Sequence, residues 1–465
     1  MNLIKNVTFD EIRIGDSATL VRTLSSKDID LFAIVSGDVN PAHVDEEFAN
    51  SDLFHKVIAH GMWGGALISN LLGTELPGPG TIYVSQSLKF LQPIGIGDTV
   101  TVVVKVVGKN EEKHHVMLDC SIINQSETVV ITGHAEVLAP TAKISRERII
   151  LPEAELHVKG RRYQQLIALT NHMKPIRTAV VHPVDAVSLI GAIEAARQEL
   201  IIPILIGPEE KIRHVAALEN IDLSSYEIMP TEHSEAAALL AVELARAGKV
   251  DAIMKGSLHT DELMRAVVDP RIGLRTARRM SHVFAIDAPN YPRALFITDA
   301  ALNVDPNLEE KRDIVQNAID LVHALGIPEP KVAILSAVET VNSNIVSTLH
   351  AAALCKMAER GQITGAILDG PLAFDNAVSL EAAKTKGIVS AVAGVADIFV
   401  VPDMESGNML AKQLEYLADA EIAGIVLGAR VPIILTSRAD KTMARLGSCA
   451  IALLLARNAA ASKVA

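Results

Sequence analysis

The run Ser36-Gly37-Asp38-Val39-Asn40-Pro41-Ala42-His43 places a carboxyl, a carboxamide and an imidazole within a few residues of one another. The residue before a proline is pushed out of the helical region, so Asn40-Pro41 favours a turn. A turn there brings Asp38 and His43 to face one volume, where an acid and a neutral imidazole together can hold and polarise a water. Taken alone, Asp-x-Asn-Pro also reads as a loop closed by an Asx-turn. Further along, His60-Gly61-Met62 opens an apolar helix. The amides and positive dipole end of a helix start suit negative charge developing on a carbonyl oxygen, and Gly61 lets a ligand approach the backbone. His60 reads as a packing or hydrogen-bonding residue rather than a second base.

Four polar segments in the second half also carry chemistry. Met254-Lys255-Gly256-Ser257 leads into a helix bearing Arg265; Asp369-Gly370-Pro371 follows an apolar run; Val401-Pro402-Asp403 leads to Gly407-Asn408 and Lys412; and Thr436-Ser437-Arg438-Ala439-Asp440 closes the last strand-like stretch. In open α/β sheets, ligands bind beyond the carboxyl ends of strands. Arg265, Lys412 and Arg438 suit a phosphoryl group, and the Ser437 hydroxyl suits an oxyanion. Singly, Asp-Gly-Pro is also a common turn, and Arg265 or Lys412 a solvated helix residue. There is no Walker loop and no G-x-G-x-x-G after a strand, so neither an ATPase nor a dinucleotide enzyme is supported.

The elements that must position these groups differ between the halves. Before residue 140 the pattern is a short helix at 28–35 capped by Ser25 or Ser26, the apolar helix from His60–Gly61, and β-branched runs at 81–90, 99–107, 116–123 and 128–138. Consecutive long strands with turns between them predict an antiparallel sheet, with the helix packed on it as an α+β layer. Residues 143–158, with Pro152 and alternating charges, read as a linker. From 159 to 465, strand-like runs alternate with Ala-rich helices, which predicts an α/β domain with mainly parallel sheets, as one large or two modest subdomains. The Gly407-Asn408 pair reads as the opening of a helix.

Composition agrees with a globular chain. Of 465 residues, 49% are apolar and 21% charged, and the formal net charge is −12. An acidic chain without a Lys/Arg stripe is a poor nucleic-acid binder, and an anionic ligand would need its cations concentrated locally. Cys120, Cys355 and Cys449 lie far apart with no C-x-x-C, which argues against a disulfide framework or a structural zinc. The N-terminus lacks the apolar stretch of a signal peptide, and no run reaches the roughly 20 apolar residues of a membrane helix. A cytoplasmic enzyme with no membrane partner is the expectation.

The segment from Ser36 to Val106, with its Asp-x-Asn-Pro-x-His and His-Gly-Met, resembles the MaoC-like (R)-specific enoyl-CoA hydratases. That resemblance covers residues 1–142 and implies a hotdog fold, usually a homodimer. It implies that Asp38 and His43 hold a water that adds to a trans-2-enoyl-CoA, that the Gly61 amide stabilises the thioester oxygen, and that no metal takes part; Asn40 is expected to lie at the substrate. MKGSLHTDELMRA, DGPLAFDNAVS, VPDMESGNMLAKQL and VPIILTSRAD resemble the phosphate acetyl/butyryltransferases, with wording closer to the butyryl branch. This second resemblance implies reversible transfer between acyl-CoA and inorganic phosphate, without a cofactor. Ser437 would stabilise the transition state, and Arg265, Lys255, Asp369, Asn408, Lys412 and Arg438 would contact phosphate or CoA. The acetyl branch places an acid a few residues after its Ser-Arg. Here Lys441-Thr442-Met443-Ala444-Arg445 offers none, which leaves Asp440 as the nearest candidate base. Two other readings stay open: an active hydratase with a catalytically weak, acyl-CoA-sensing second half, and a non-catalytic hotdog scaffold that oligomerises the transferase.

Overall fold

A computed structural model describes residues 3–151, 154, 156, 160–435 and 442–462. The chain divides into two compact units, Met1–His157 and Val158–Ala465.

In the first unit, strands β1 (Leu3–Lys5), β2 (Ser17–Thr23), β3 (Ile82–Phe90), β4 (Thr99–Asn110), β5 (His115–Asn124), β6 (Val129–Leu138) and β7 (Ser145–Glu147) accompany helices α1 (Ser26–Ser36), α2 (Pro41–Val44), α3 (Glu46–Ser51) and α4 (Gly61–Thr74). Five strands form one antiparallel sheet in the order β2-β4-β5-β6-β3. Alternation buries one face of it: Val100, Val102, Val104 and Val106 on β4, and Val116, Leu118, Cys120 and Ile122 on β5. That face packs on α4 through Trp63, Ile68, Leu71 and Leu72. Each such fully buried aliphatic side chain contributes about 1.5–3 kcal/mol. At Gly64 helix and sheet approach closely, since a Cβ there would lie 2.4 Å from Ile131 Cδ1. A sheet wrapped round one central helix is the hotdog arrangement. Ser25 caps α1 in a reciprocal capping box with Asp28, which decides between the two expected caps.

The expected linker needs correction. Residues 145–147 form β7 and pair with β1, so part of 143–158 belongs to the first unit. Backbone pairing is available there because β1 offers a free edge.

The second unit contains β8 (Ile176–Val181), β9 (Ile201–Gly207), β10 (Glu227–Pro230), β11 (Ala252–Lys255), β12 (Ser281–Asp287), β13 (Leu295–Thr298), β14 (Lys331–Leu335), β15 (Ile367–Leu372), β16 (Ile398–Val400), β17 (Glu421–Leu427) and β18 (Ile433–Ile434). They form a single sheet, ordered β10-β9-β8-β11-β18-β17-β12-β13-β16-β14-β15. Both flanks are parallel. Between them β17 and β12 pair antiparallel to each other, and each pairs antiparallel to its outer neighbour. The two parallel flanks therefore run in opposite directions, and their carboxyl ends reach opposite edges of the sheet. Helices cover it and bury near-continuous apolar strands, as parallel sheets require.

Candidate active site

The first site is built from three short elements. Asn40 caps α2, its Oδ1 accepting from Ala42 N–H at 3.2 Å, and Pro41 opens the helix. Asn40 was expected at the substrate, and its carboxamide oxygen holds the turn. The cap places His43 on the last turn of α2, where Nδ1 lies 2.8 Å from the Ile58 carbonyl. A carbonyl only accepts, so in the neutral ring Nδ1 carries the proton and Nε2 keeps its lone pair. Asp38 is exposed, and its Oδ1 accepts from Asn40 N–H at 3.2 Å. Ligating-type atoms of Asp38, His43 and His60 all lie within 4.8 Å of one another. These are the groups able to hold a water here, and among the described residues they are also the one cluster with the composition of a metal site.

His43 and Gly61 line one cavity of about 250 Å³, walled by Phe54, Ile58, Phe90 and Ile131. Gly61 is the first residue of α4, and no side chain caps that helix. Its start therefore presents backbone N–H groups beside an apolar slot, the combination that an extended acyl thioester needs. His60, immediately before it, is 3% exposed, and its Nε2 lies 3.0 Å from the Asp38 carbonyl.

The second unit distributes its expected groups differently. Lys255 is buried at the end of β11, with Nζ 3.4 Å from the Gly256 carbonyl. Arg265 is exposed on the helix Thr260–Val268 that follows. Asp369 lies inside β15 rather than after it, half-buried, accepting from the Gly370 amide at 2.8 Å. The helix expected to open at Gly407-Asn408 begins at Met404, capped by Asp403. Gly407 instead permits close packing, because a Cβ would lie 2.7 Å from Val401 Cγ2. Asn408 Nδ2 donates to the Ala300 carbonyl at 3.2 Å, and Lys412 is exposed. Because the two flanks run in opposite directions, strand direction puts Lys255 at one sheet edge and the Asp403–Lys412 segment at the other. Ser437, Arg438 and Asp440 lie outside the described residues.

A guanidinium-rich cavity went unread in the sequence. About 600 Å³ in volume, it is lined by Arg275, Arg278, Arg279, Arg312, Glu310 and Asp313. Arg279 donates from Nε to Asn303 Oδ1 at 2.7 Å and pairs with Glu310 at 3.0 Å. Asp299, nearby, accepts from the Ala301 and Leu302 amides at 3.0 and 3.1 Å, and burial pushes its carboxyl above the usual range. Three arginines in Arg275-Thr276-Ala277-Arg278-Arg279 were the available signal. Arg278, Arg279 and Arg312 are ion-paired with Asp320, Glu310 and Asp313, and Glu309 joins the lining, so the cavity is walled by a network of charge pairs.

Comparison with known proteins agrees with both units. Residues 231–453 match the family model described as phosphate acetyl/butaryl transferase. The chain is 61% identical over 304 residues to a phosphate acetyltransferase of Rhizobium meliloti, covering 65% of this chain and 96% of that protein. The chain belongs to the phosphate acetyl/butyryltransferase family. A phosphate butyryltransferase of Clostridium acetobutylicum is 43% identical over 289 residues, covering 62% of this chain and 95% of the relative. Among solved structures, a branched-chain phosphotransacylase from Enterococcus faecalis V583 superposes with a TM-score of 0.54 at 27% identity, covering 60% of this chain and 99% of that one. The part shared with the phosphate acyltransferases is thus the second unit. Ahead of it, residues 14–125 match the MaoC-like domain, in agreement with the hotdog sheet and α4. Among the described residues, no helix is long and apolar enough to cross a membrane.

Proposed function

We propose that this chain acts on CoA thioesters twice: it hydrates trans-2-enoyl-CoA to (R)-3-hydroxyacyl-CoA in its first unit, and exchanges acyl groups between CoA and inorganic phosphate in its second. The observation that carries the hydratase reading is the convergence of the Asp38 carboxylate and the His43 ring beside the apolar cavity that Gly61 also lines. In this reading the acyl chain enters that slot with its thioester oxygen at the Gly61 amide. Asp38 and His43 hold the water. Its oxygen bonds to C3 and one proton passes to the pair, while the double-bond electrons move toward the thioester oxygen and C2 takes up a proton. A general acid–base pair of this kind supplies about 10²–10⁴-fold of the rate.

In the second unit, the CoA thiolate attacks the acyl carbon of an acyl phosphate, and phosphate leaves with the electron pair; the reverse consumes acyl-CoA. We assign transition-state stabilisation to Ser437, proton removal to Asp440, and phosphate or CoA contacts to Arg438, Arg265 and Lys412. The identity to a phosphate acetyltransferase over 304 residues and to a phosphate butyryltransferase over 289 residues supports the transferase reading. The absence of an acid in Lys441–Arg445 favours, as the second reading, a transferase half that binds acyl-CoA without turning it over. Both activities are read in one experiment on the full-length protein, given crotonyl-CoA or butyryl-CoA with phosphate. Loss of the enoyl absorbance with crotonyl-CoA and release of free thiol with butyryl-CoA are expected. Hydration without thiol release would favour the sensor, and thiol release alone would leave the hotdog unit a scaffold.

A further inference from the structure

His60 occupies a place that a hydrophobic side chain would fill at lower cost. It is 3% exposed and its Nδ1 is buried without a hydrogen-bond partner. Its ring lies against Phe32, with centroids 5.0 Å apart, and against His43 at 4.0 Å. It stands at the N-cap position of α4 yet makes no side-chain cap. A buried nitrogen left unpaired costs free energy, so packing and capping both fail to explain an imidazole here. What only the imidazole supplies is the bond between Nε2 and the Asp38 carbonyl at 3.0 Å, in which the nitrogen must donate.

We infer that His60 is the positioning residue of the Asp38/His43 pair. The inference rests on the hydratase reading. Its Nε2–H ties down the backbone of the residue whose carboxylate holds the water. Its face limits the tilt of the His43 ring, whose other restraint is the Nδ1–H bond to Ile58. Its own peptide leads directly into Gly61, so one ring connects base, partner imidazole and oxyanion donor. Sites of this kind demand placement to within about 0.5 Å, and a misplacement of about 1 Å can cost about 10²-fold in rate.

The test uses the full-length chain and two variants. His60→Phe keeps an aromatic ring and removes both the Nε2–H bond and the orphan nitrogen. The expected result is a kcat for crotonyl-CoA hydration reduced about 10- to 100-fold, a KM within about twofold of wild type, and a thermal midpoint unchanged or higher. His60→Gln, which restores an N–H donor, should recover part of the lost kcat. A His60→Phe protein with wild-type kcat overturns the inference, as does a kcat that falls only in step with lost thermal stability. Nitrogen-15 spectra of the uniformly labelled full-length chain give a readout independent of turnover. They should show His60 protonated at Nε2, and His60→Phe should shift the His43 ring and Asp38 amide signals. Unmoved signals overturn the positioning role. Perturbed signals in a chain whose wild type hydrates no enoyl-CoA support the positioning role and sink only the hydratase reading.

Discussion

At the scale of single residues, the first site depends on small distances around α4. A Cβ at Gly61 would lie 3.0, 3.2 and 3.3 Å from three atoms of the Phe90 ring, which walls the cavity. That ring would have to yield. Gly61→Ala is therefore expected to lower kcat/KM for crotonyl-CoA about tenfold, about 1.4 kcal/mol of transition-state binding, while leaving thiol release from butyryl-CoA unchanged. Steady-state kinetics on both substrates measures this. Asp38, His43 and Gly61 were legible in the sequence because the turn and the helix start that place them are local. His60 was read as a packing or hydrogen-bonding residue, and it is both; its partner, the Asp38 carbonyl, was not legible, because the bond joins residues 22 apart in the chain. Asn40 was read as a substrate contact, and the cap that its Oδ1 makes on α2 was not read, since a cap and a ligand contact use the same residue type.

Among the elements, the antiparallel pair β12 and β17 decides which segments of the second unit can share a sheet edge. The apolar strands on either flank were evident from their runs. β12 was not, because Ser281, His282 and Asp287 interrupt it with polar groups that only the tertiary structure buries. Its imidazole is fully buried, and burial holds His282 down at about 3, from an ordinary value of 6.5. Between those values the unfolded chain binds a proton that the folded chain refuses. Stability should therefore fall as pH drops from about 6.5 towards 3, by up to about 1.4 kcal/mol per pH unit from this group. His282→Leu should flatten that part of the profile. Urea unfolding of the second unit across pH 4–6.5 reads the slope, and an unchanged slope would show that His282 is not the group responsible. The direction of the sheet was likewise hidden in the sequence, because periodicity reports that a strand exists and not which way its neighbour runs.

For the molecule as a whole, the order of two units was readable from the change of hydrophobic rhythm near residue 140, and the end of the first unit was not. β7 extends the first unit into the presumed linker by pairing with β1, a contact between chain segments some 140 residues apart. Each unit has its own core. The two activities should accordingly be separable by single substitutions in the intact chain. Ser437→Ala is expected to cut thiol release from butyryl-CoA with phosphate by about 10²-fold or more without changing crotonyl-CoA hydration; a parallel loss of both would contradict it. The central claim concerns the first unit, and Asp38→Asn in the full-length protein tests it most directly. This isosteric change removes the negative charge and keeps a polar side chain at the turn. Continuous assay of crotonyl-CoA absorbance should show hydration reduced at least about 10²-fold, with the thermal midpoint and the transferase rate intact. An Asp38→Asn chain that hydrates crotonyl-CoA at the wild-type rate would contradict the account.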